Sequence, residues 1–272
     1  MKIVLASVLK PADDTRMFHK MGQTLAAAGH EVHICGFPSE SKCFRKNIFL
    51  HFHKRFKRLG FFRLTVPWLI LRKIVAIKPD MLIITTHELL PAGVLAKMIC
   101  NTTLIYDVQE NYFLNIMALP SFPWLIRPFL AGYVRVKEML LSPFVDHFML
   151  AEAAYASELP FVRKRFSILE NKVKRPAQLK TRSRIRQNIQ LLFSGTLDET
   201  TGVFIAIRLA KVLHQHDSGI RLTVIGYCAL PETLKRIREE IKTTDFISLI
   251  GGDTLVPHEK ILEAIEIGRA HV

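Results

Sequence analysis

The chain contains 272 residues, of which 49% are apolar, and carries a formal net charge of +14 at pH 7. This length accommodates one large domain or two ordinary ones. No apolar run reaches the ~18 residues that a membrane-spanning helix needs. The four cysteines have neither metal-binding nor redox spacing. We therefore expect a cytoplasmic protein with reduced cysteines.

The positive charge is concentrated in two segments. Lys42–Lys78 contains eleven lysines and arginines and no acid, and Arg163–Arg186 is interrupted only by Glu170. In the first segment, aromatic and aliphatic residues alternate with the bases, which favours contact with an anionic membrane surface. The alternative is a basic, solvated face over an ordinary core helix. Nucleic acid is not expected as a partner, because no helix-turn-helix, zinc-finger or RNA-recognition motif is present.

In the first half of the chain, apolar strands alternate with amphipathic helices. Strands are predicted at Lys2–Ser7, Glu31–Gly36, Met81–Thr85, Thr103–Tyr106 and Phe144–Leu150. Helices are predicted at Thr15–Ala28, Pro67–Ile77 and Leu90–Ile99. Asn111–Ile126 contains two prolines and is predicted to be a loop or surface segment. This alternation predicts a parallel sheet with helices on both faces.

A second series of the same kind follows a polar, basic segment at Pro176–Gln187. Its strands are predicted at Ile189–Ser194, Arg221–Ile225 and Phe246–Ile250, and its helices at Val203–His214, Pro231–Lys242 and from Lys260–Ile265 onward. We predict two Rossmann-like, doubly wound α/β domains, 1–175 and 188–272, joined by a linker at 176–187. Ligands should lie at the carboxyl ends of the strands, in a cleft between the domains.

Two loops of the first domain carry clustered polar side chains. Thr86-His87-Glu88 directly follows a buried strand, where an imidazole could contact a sugar hydroxyl or a proton in transit. Helix capping by Thr86 or Glu88 is the alternative. Asp107–Tyr112 follows the next strand and combines carboxylates, amides and a phenol, a set that suits hydroxyl-rich ligands.

The remaining strand-to-helix loops argue for and against phosphate binding. Val8–Asp14 contains no glycine, which disfavours a dinucleotide, and Asp14 is an N-cap candidate. In LLFSGTLDETTG, Gly195 permits a turn and Gly202 opens a helix whose free N–H groups favour a phosphate. Gly226 ends the next strand in the same way. No Asp-x-Asp, Walker loop or nucleophile elbow occurs, so no metal site is expected.

Four stretches, LAAAGHEVHICG, KPDMLIITTHELLPA, LIYDVQENY and LLFSGTLDETTGVFIAIRLAKVL, resemble the family 4 glycosyltransferases along nearly the whole chain. The resemblance implies the GT-B fold, in which two Rossmann-like domains face a cleft. It also implies sugar transfer with retention of configuration, without a metal or cofactor. The co-substrate would be a nucleotide-sugar, and the acceptor a glycan or lipid-linked molecule at the inner face of the cell membrane.

The resemblance also implies roles for individual residues. His87 and Glu88 would be catalytic. The acceptor-side residues would be Asp14, Arg16, Asp107, Glu110 and Asn111. The donor-side residues would be Gly195, Thr196, Thr201, Gly202 and Gly226. The chain departs from the family pattern at Thr196 and Thr201, where relatives often carry Arg and Lys, and at Gln109, where they often carry His.

The second domain is shorter than the resemblance implies. The family's Glu-x7-Glu segment should lie beyond Ile265, and 266–272 reads as non-native sequence. We therefore expect an incomplete second sheet with Leu222, Val224, Ile247 and Leu249 poorly covered, and an inactive chain. Two alternatives to a glycosyltransferase stay open: a nucleotide-sugar epimerase of the same fold, and a non-catalytic module that binds a membrane surface.

Overall fold

The structure is a computed structural model that describes residues 1–38, 45–56, 60–118, 122–163, 165–172, 189–254, 256, 260–261 and 263–265. The chain divides into two compact units, Met1–Val173 and Lys174–Val272. The predicted linker at 176–187 and the segment 266–272 lie outside the described residues, as do parts of Lys42–Lys78. No described helix has both the length and the apolar character needed to cross a membrane.

The first unit is built on a seven-stranded parallel sheet with the strand order β3-β2-β1-β4-β5-β6-β7. The strands are β1 Lys2–Pro11, β2 Glu31–Phe37, β3 Ile48–Phe52, β4 Met81–Ile84, β5 Thr103–Val108, β6 His147–Leu150 and β7 Phe166–Ile168. In β1, Val4 packs into one core and Leu5 into the other, on opposite faces of the sheet. Both faces are therefore covered, as expected for a parallel sheet.

Helices lie on both faces because the strand order reverses between β1 and β4. Right-handed crossovers then place the connections before and after the reversal on opposite faces. A π-helix, Thr15–Gly22, continues into α1 Gln23–Ala27 on one face. The other helices of this unit are α2 Phe62–Ile77, α3 Leu90–Cys100, α4 Tyr112–Ala118, α5 Arg127–Leu141 and the short α6 Tyr155–Glu158. The helices α2 and α3 pack against the opposite face.

Of the two alternatives predicted for Asn111–Ile126, the loop was wrong, because the segment contains α4, and the surface segment is confirmed, because α4 has no buried residues. Asn111 starts the helix: its Oδ1 accepts from the backbone N of Leu114 at 3.4 Å, and its carbonyl from the N of Asn115 at 2.9 Å. The prolines come after the helix. The sequence prediction also missed α5, since its buried stripe consists of Ala131, Val134 and Glu138 while larger apolar residues face outward.

The second unit contains a three-stranded parallel sheet with the order β10-β9-β8. Its elements are β8 Gln190–Thr196, α7 Val203–His216, β9 Arg221–Tyr227, α8 Pro231–Ile241 and β10 Ile247–Gly252. The strand order advances in one direction, so both right-handed crossovers place their helices on the same face.

The expectation of poorly covered strands in this unit was wrong. Leu222, Val224 and Ile247 are buried, and Leu249 is partly buried against them. They point toward the face that α7 and α8 cover, so these two helices alone are enough to bury them.

Candidate functional site

A cavity of about 860 Å³ lies at the carboxyl end of the sheet in the first unit. Polar and charged side chains from the ends of β4 and β5, and from α2 and α5, line one part of it: Arg63, Thr86, His87, Glu88, Glu110 and Lys137. Apolar and aromatic side chains line the rest, among them Phe37, Phe56, Phe61, Leu64, Leu130 and Tyr133. The cavity is therefore amphipathic.

His87 begins the single 3-10 turn that joins β4 to α3, and only 7% of its surface is exposed. Its Nδ1 lies 2.8 Å from Nζ of Lys137, and its Nε2 lies 3.7 Å from Oε2 of Glu88. Tyr112 packs edge-on against the ring, with the centroids 4.5 Å apart. Burial lowers the pKa of His87 to about 4. The imidazole is therefore neutral at pH 7.

Glu88 is held by Arg63 of α2. The guanidinium donates from Nε to Oε1 at 3.0 Å and adds a second, shorter contact from Nη2. Burial alone would raise the pKa of Glu88, but the His87 ring in its protonated form, and the charge and hydrogen bond of Arg63, outweigh burial and hold this pKa below its usual value. Its Oε2 is buried without a hydrogen-bond partner among the described residues. Glu88 thus presents an anionic acceptor beside a neutral ring.

Arg16 and Asp107, for which an acceptor contact was predicted, form a buried ion pair with each other. Their role toward an acceptor stays a prediction. The guanidinium of Arg16 donates to both carboxylate oxygens of Asp107, from Nε at 2.8 Å and from Nη2 at 2.6 Å. Asp107 has no exposed surface, and Gln109 adds a third donor at 2.6 Å. The pair holds the end of β5 against the π-helix, and both of its charged groups are buried.

Two other predicted acceptor residues also serve the loops themselves. Asp14 is the N-cap of the π-helix, accepting from the backbone N of Arg16 at 3.0 Å and of Met17 at 3.1 Å, so the N-cap prediction is confirmed. Asn111 is buried, donates to Glu158 at 2.9 Å and accepts from Arg135 at 2.8 Å. Neither residue lines the cavity.

Glu110 is the member of the predicted acceptor set that does line the cavity. Its carboxylate accepts from Nδ2 of Asn115 at 3.1 Å. Lys137 and Arg63 were missed as site residues by sequence reasoning. Arg63 was counted only as one of many bases, and Lys137 lies 50 residues from His87 in a helix that was not predicted. Only an accurate placement of α5 could have indicated it.

In the second unit, a row of three glycines crosses the sheet at its carboxyl edge. Gly226 of β9 pairs in register with Gly195 of β8 and Gly251 of β10. A Cβ on Gly226 would lie 1.7 Å from the carbonyl oxygen of Gly195. The backbones therefore approach too closely for any side chain at this position.

The loop after β8 leads into α7 through Gly202, which has φ +88° and provides no side-chain cap. Thr196 is exposed at the end of β8. The hydroxyl of Thr201 donates within the loop, to the carbonyl of Thr196 at 2.7 Å, and is also 2.8 Å from the carbonyl of Asp198. Thr201 therefore shapes the loop, and its role toward a donor stays a prediction. Among the described residues, no side chain caps the backbone N–H groups at the start of α7.

Comparison with solved structures shows which proteins share this architecture. The chain matches sucrose-phosphate synthase from Thermosynechococcus elongatus at a TM-score of 0.68 and 13% identity, covering 99% of this chain and 74% of that one. The catalytic domain of starch synthase IV from Arabidopsis thaliana, bound to ADP and acarbose, matches at 0.63 and 13% identity, over 97% and 76% of the two chains. Anabaena HepE in complex with UDP and glucose matches at 0.61 and 12% identity, over 93% and 70%.

The chain has the GT-B fold. This confirms the predicted fold class and the fold that the resemblance implied. No family model and no curated protein matches the chain. At these identities the GT-B likeness concerns the fold, and the narrower placement in family 4 stays a prediction. Among the described residues, no group of three or more His, Cys, Asp and Glu side chains is arranged to hold a metal ion.

Proposed function

We propose that this GT-B protein transfers a sugar from a nucleotide-sugar donor to an acceptor, with retention of configuration and without a metal. The observation that carries the proposal is the neutral, buried His87 beside the anionic Glu88, at the carboxyl end of β4 in the amphipathic cavity. A neutral imidazole can donate one hydrogen bond to a sugar hydroxyl, and the carboxylate can accept one. UDP or ADP in two of the similar structures supports a nucleoside diphosphate as the leaving group.

The donor side of the proposal rests on the second unit. When the bond between the anomeric carbon and the diphosphate breaks, negative charge develops on the leaving group. The start of α7 supplies free backbone N–H groups and the positive end of a helix dipole for that charge. Thr196 and Thr201 add no positive charge, so we expect weak donor binding from this loop alone.

The acceptor is proposed to be a lipid-linked molecule in preference to a polysaccharide. The polar lining of the cavity suits a sugar or phosphate headgroup. The apolar and aromatic lining from the end of β2, the segment before α2 and the first turn of α2 suits an apolar chain. A polysaccharide would leave Phe56, Phe61 and Leu64 without an apolar partner.

We further propose that the first unit binds the anionic inner face of the cell membrane. On α5, Phe129, Tyr133, Val136 and Leu140 form an exposed apolar stripe at helical spacing, and Trp124 is exposed just before it. Exposed bases occur on the same unit at Lys54, Arg55, Arg72 and Lys73. An apolar stripe and bases exposed on the same unit have the chemistry of an interfacial contact with anionic lipid.

The function is tested by incubating the full-length gene product that contains this sequence with nucleotide-sugars and lipid-linked acceptors. We expect release of nucleoside diphosphate together with glycosylated acceptor. His87→Ala should reduce the rate by about 10² to 10⁴-fold. His216→Ala, at the exposed end of α7, is the matched control and should leave it unchanged.

Three outcomes would contradict the proposal. Wild-type turnover by His87→Ala at saturating donor would remove the catalytic role of this ring. A donor sugar that changes configuration without any acceptor would identify an epimerase. Vesicle binding without turnover of any nucleotide-sugar would favour the non-catalytic membrane module.

A further inference from the structure

The proposed transfer of a sugar uses His87 and Glu88 and assigns no role to the contact between Lys137 and His87. Nζ of Lys137 lies 2.8 Å from Nδ1 of His87, within hydrogen-bond distance. The two residues come from different elements, α5 and the turn after β4, and both line the cavity. The same lysine also lies over the ring of Tyr133, with Nζ 5.1 Å from the ring centroid.

The chemistry of the two groups decides which of them donates. An ammonium group has three N–H donors and no lone pair, whereas a neutral imidazole has one donor nitrogen and one acceptor nitrogen. Burial lowers the pKa of both groups. The imidazole has the lower ordinary pKa of the two, and burial brings it to about 4. The proton therefore resides on Lys137, and Nδ1 of His87 accepts.

We propose that Lys137 is a positioning residue that orients the ring of His87 and keeps its single proton on Nε2. The other groups that face the ring are compatible with this assignment. Glu88 lies 3.7 Å from Nε2, on the side where a proton is favourable, and Tyr112 meets the ring through its edge contact. Arg63 is engaged with Glu88. Among the described side chains, Lys137 is therefore the one that makes a directional contact to Nδ1.

The position of Lys137 depends on how α5 is held. Its neighbour Glu138 is buried and accepts from the hydroxyl of Tyr106 at 3.1 Å, and Val134 is buried one turn earlier. These contacts fix the rotation of α5 about its axis, and with it the direction from which Lys137 reaches the ring.

The consequence for catalysis rests on the proposed function, but the tautomer does not. With the proton on Nε2, the ring offers a donor 3.7 Å from Oε2 of Glu88, a distance too long for a direct hydrogen bond. A donor and an acceptor thus lie side by side, ready for one ligand hydroxyl. With the proton on Nδ1, Nε2 of His87 and Oε2 of Glu88 would both be acceptors toward the same ligand.

The assignment is tested by ¹⁵N NMR of the whole chain with labelled histidine. The chain has eleven histidines, and the signal missing from His87→Gln identifies the ring. In the wild type we expect Nδ1 to show the shift of an unprotonated, hydrogen-bonded nitrogen, and Nε2 that of a protonated one. Lys137→Met should move the Nδ1 signal, add Nδ1-protonated tautomer and raise the pKa of the ring. Lys137→Arg, which keeps a charged donor, should restore the wild-type pattern.

Lys97→Met, on α3, is the matched control because it removes a lysine bonded to Asp146, and it should leave the His87 signals unchanged. A wild-type ring protonated on Nδ1, or a Lys137→Met ring with unchanged Nδ1 shift and pKa, would overturn the proposal. Where transfer is observed, Lys137→Met should lower kcat at least about tenfold, as loss of an orienting partner of a functional histidine does. Absence of transfer by the full-length wild-type gene product would refute the proposed function while the tautomer result stands.

Discussion

Arg16 and Asp107 lie 91 residues apart in the chain and form a two-pronged ion pair with almost no exposed surface. Arg16 also donates from Nη1 to the carbonyl of Leu169 at 2.7 Å. One side chain thus ties together the π-helix, the end of β5 and the segment after β7. The pair fastens the carboxyl edge of the sheet on which His87 is placed.

Breaking this pair should destabilise the first unit strongly. Asp107→Asn leaves a buried guanidinium without a counter-charge, and we expect a loss of about 3 to 5 kcal/mol in the free energy of unfolding. Urea denaturation followed by tryptophan fluorescence measures it, since Trp68 and Trp124, the two tryptophans, both belong to the first unit. Lys172→Ala removes the exposed pair with Glu170 and should cost less than about 1 kcal/mol. Equal losses in the two variants would contradict the structural role.

Two buried groups, His87 and Glu138, should change the free energy of unfolding with pH in opposite directions. The pKa of His87 is about 4 in the folded chain and near 6.5 when unfolded, so the unfolded chain binds more protons between these values. This contribution raises stability as the pH rises from 4 to 6.5. Burial raises the pKa of Glu138 from 4.5 to about 7, so the folded chain binds more protons there and stability falls as the pH rises through that range.

Single variants should separate the two groups. His87→Gln removes the rising contribution, so unfolding free energy should fall more steeply with pH than in the wild type. Glu138→Gln removes the falling contribution and should do the reverse. Denaturation at several pH values between about 4.5 and 6.5 measures both slopes. Identical slopes in the two variants would show that neither group titrates as described.

A side chain at Gly226 should disrupt the second unit. The Cβ of Gly226→Ala would lie 1.7 Å from the carbonyl oxygen of Gly195, so β8 and β9 must separate. We expect a cost of at least about 3 kcal/mol, at the upper end for overpacking. Hydrogen exchange of peptides from β8 and β9 should speed up, while peptides from the first unit stay protected. Gly132→Ala, in α5 with no atom within 4 Å of its Cβ, should instead stabilise slightly.

The apolar stripe on α5 should decide membrane binding. We expect the purified chain to bind anionic vesicles more tightly than neutral ones, and less tightly at high salt, since each nearby base contributes about 1 kcal/mol. Phe129→Glu should weaken binding at least about tenfold, because an inserted aromatic side chain is replaced by a charge. Ile205→Glu, on the exposed side of α7, is the matched control. Equal binding to anionic and neutral vesicles would leave only a basic, solvated surface.

The proposed domain boundaries, 1–175 and 188–272, are tested by limited proteolysis. Pro176–Gln187 is polar and basic, and the chain divides into its two compact units after Val173. We therefore expect early cleavage within Pro176–Gln187. A resistant fragment of about the first 175 residues should retain both tryptophans. A chain that resists digestion as one piece would contradict this division.

Local pattern in the sequence was enough to predict most of the sheet. The apolar runs at β1, β4 and β5 identified buried parallel strands, because such strands are covered on both faces and need apolar residues at successive positions. Apolar residues also identified β9 and β10, although the described helices cover only one face of their sheet. Their alternation with helices predicted the doubly wound architecture. It also placed His87 and Glu88 at a carboxyl edge, since the residue after a strand must lie there.

Tertiary structure alone decided what those residues contact. In α5 the larger apolar residues are exposed and Glu138 is buried, which is the reverse of the usual amphipathic pattern. Hydrophobic periodicity therefore did not predict this helix. The partners of His87 and Asp107 come from 50 and 91 residues away, through the order in which the strands assemble. A pairing over such distances depends on which strands become neighbours in the sheet. The spacing of residues within a short segment does not determine this. The ion pair between Arg16 and Asp107 was not predicted for this reason, because a charged residue near a strand end looks the same in sequence whether it faces a ligand or another charge.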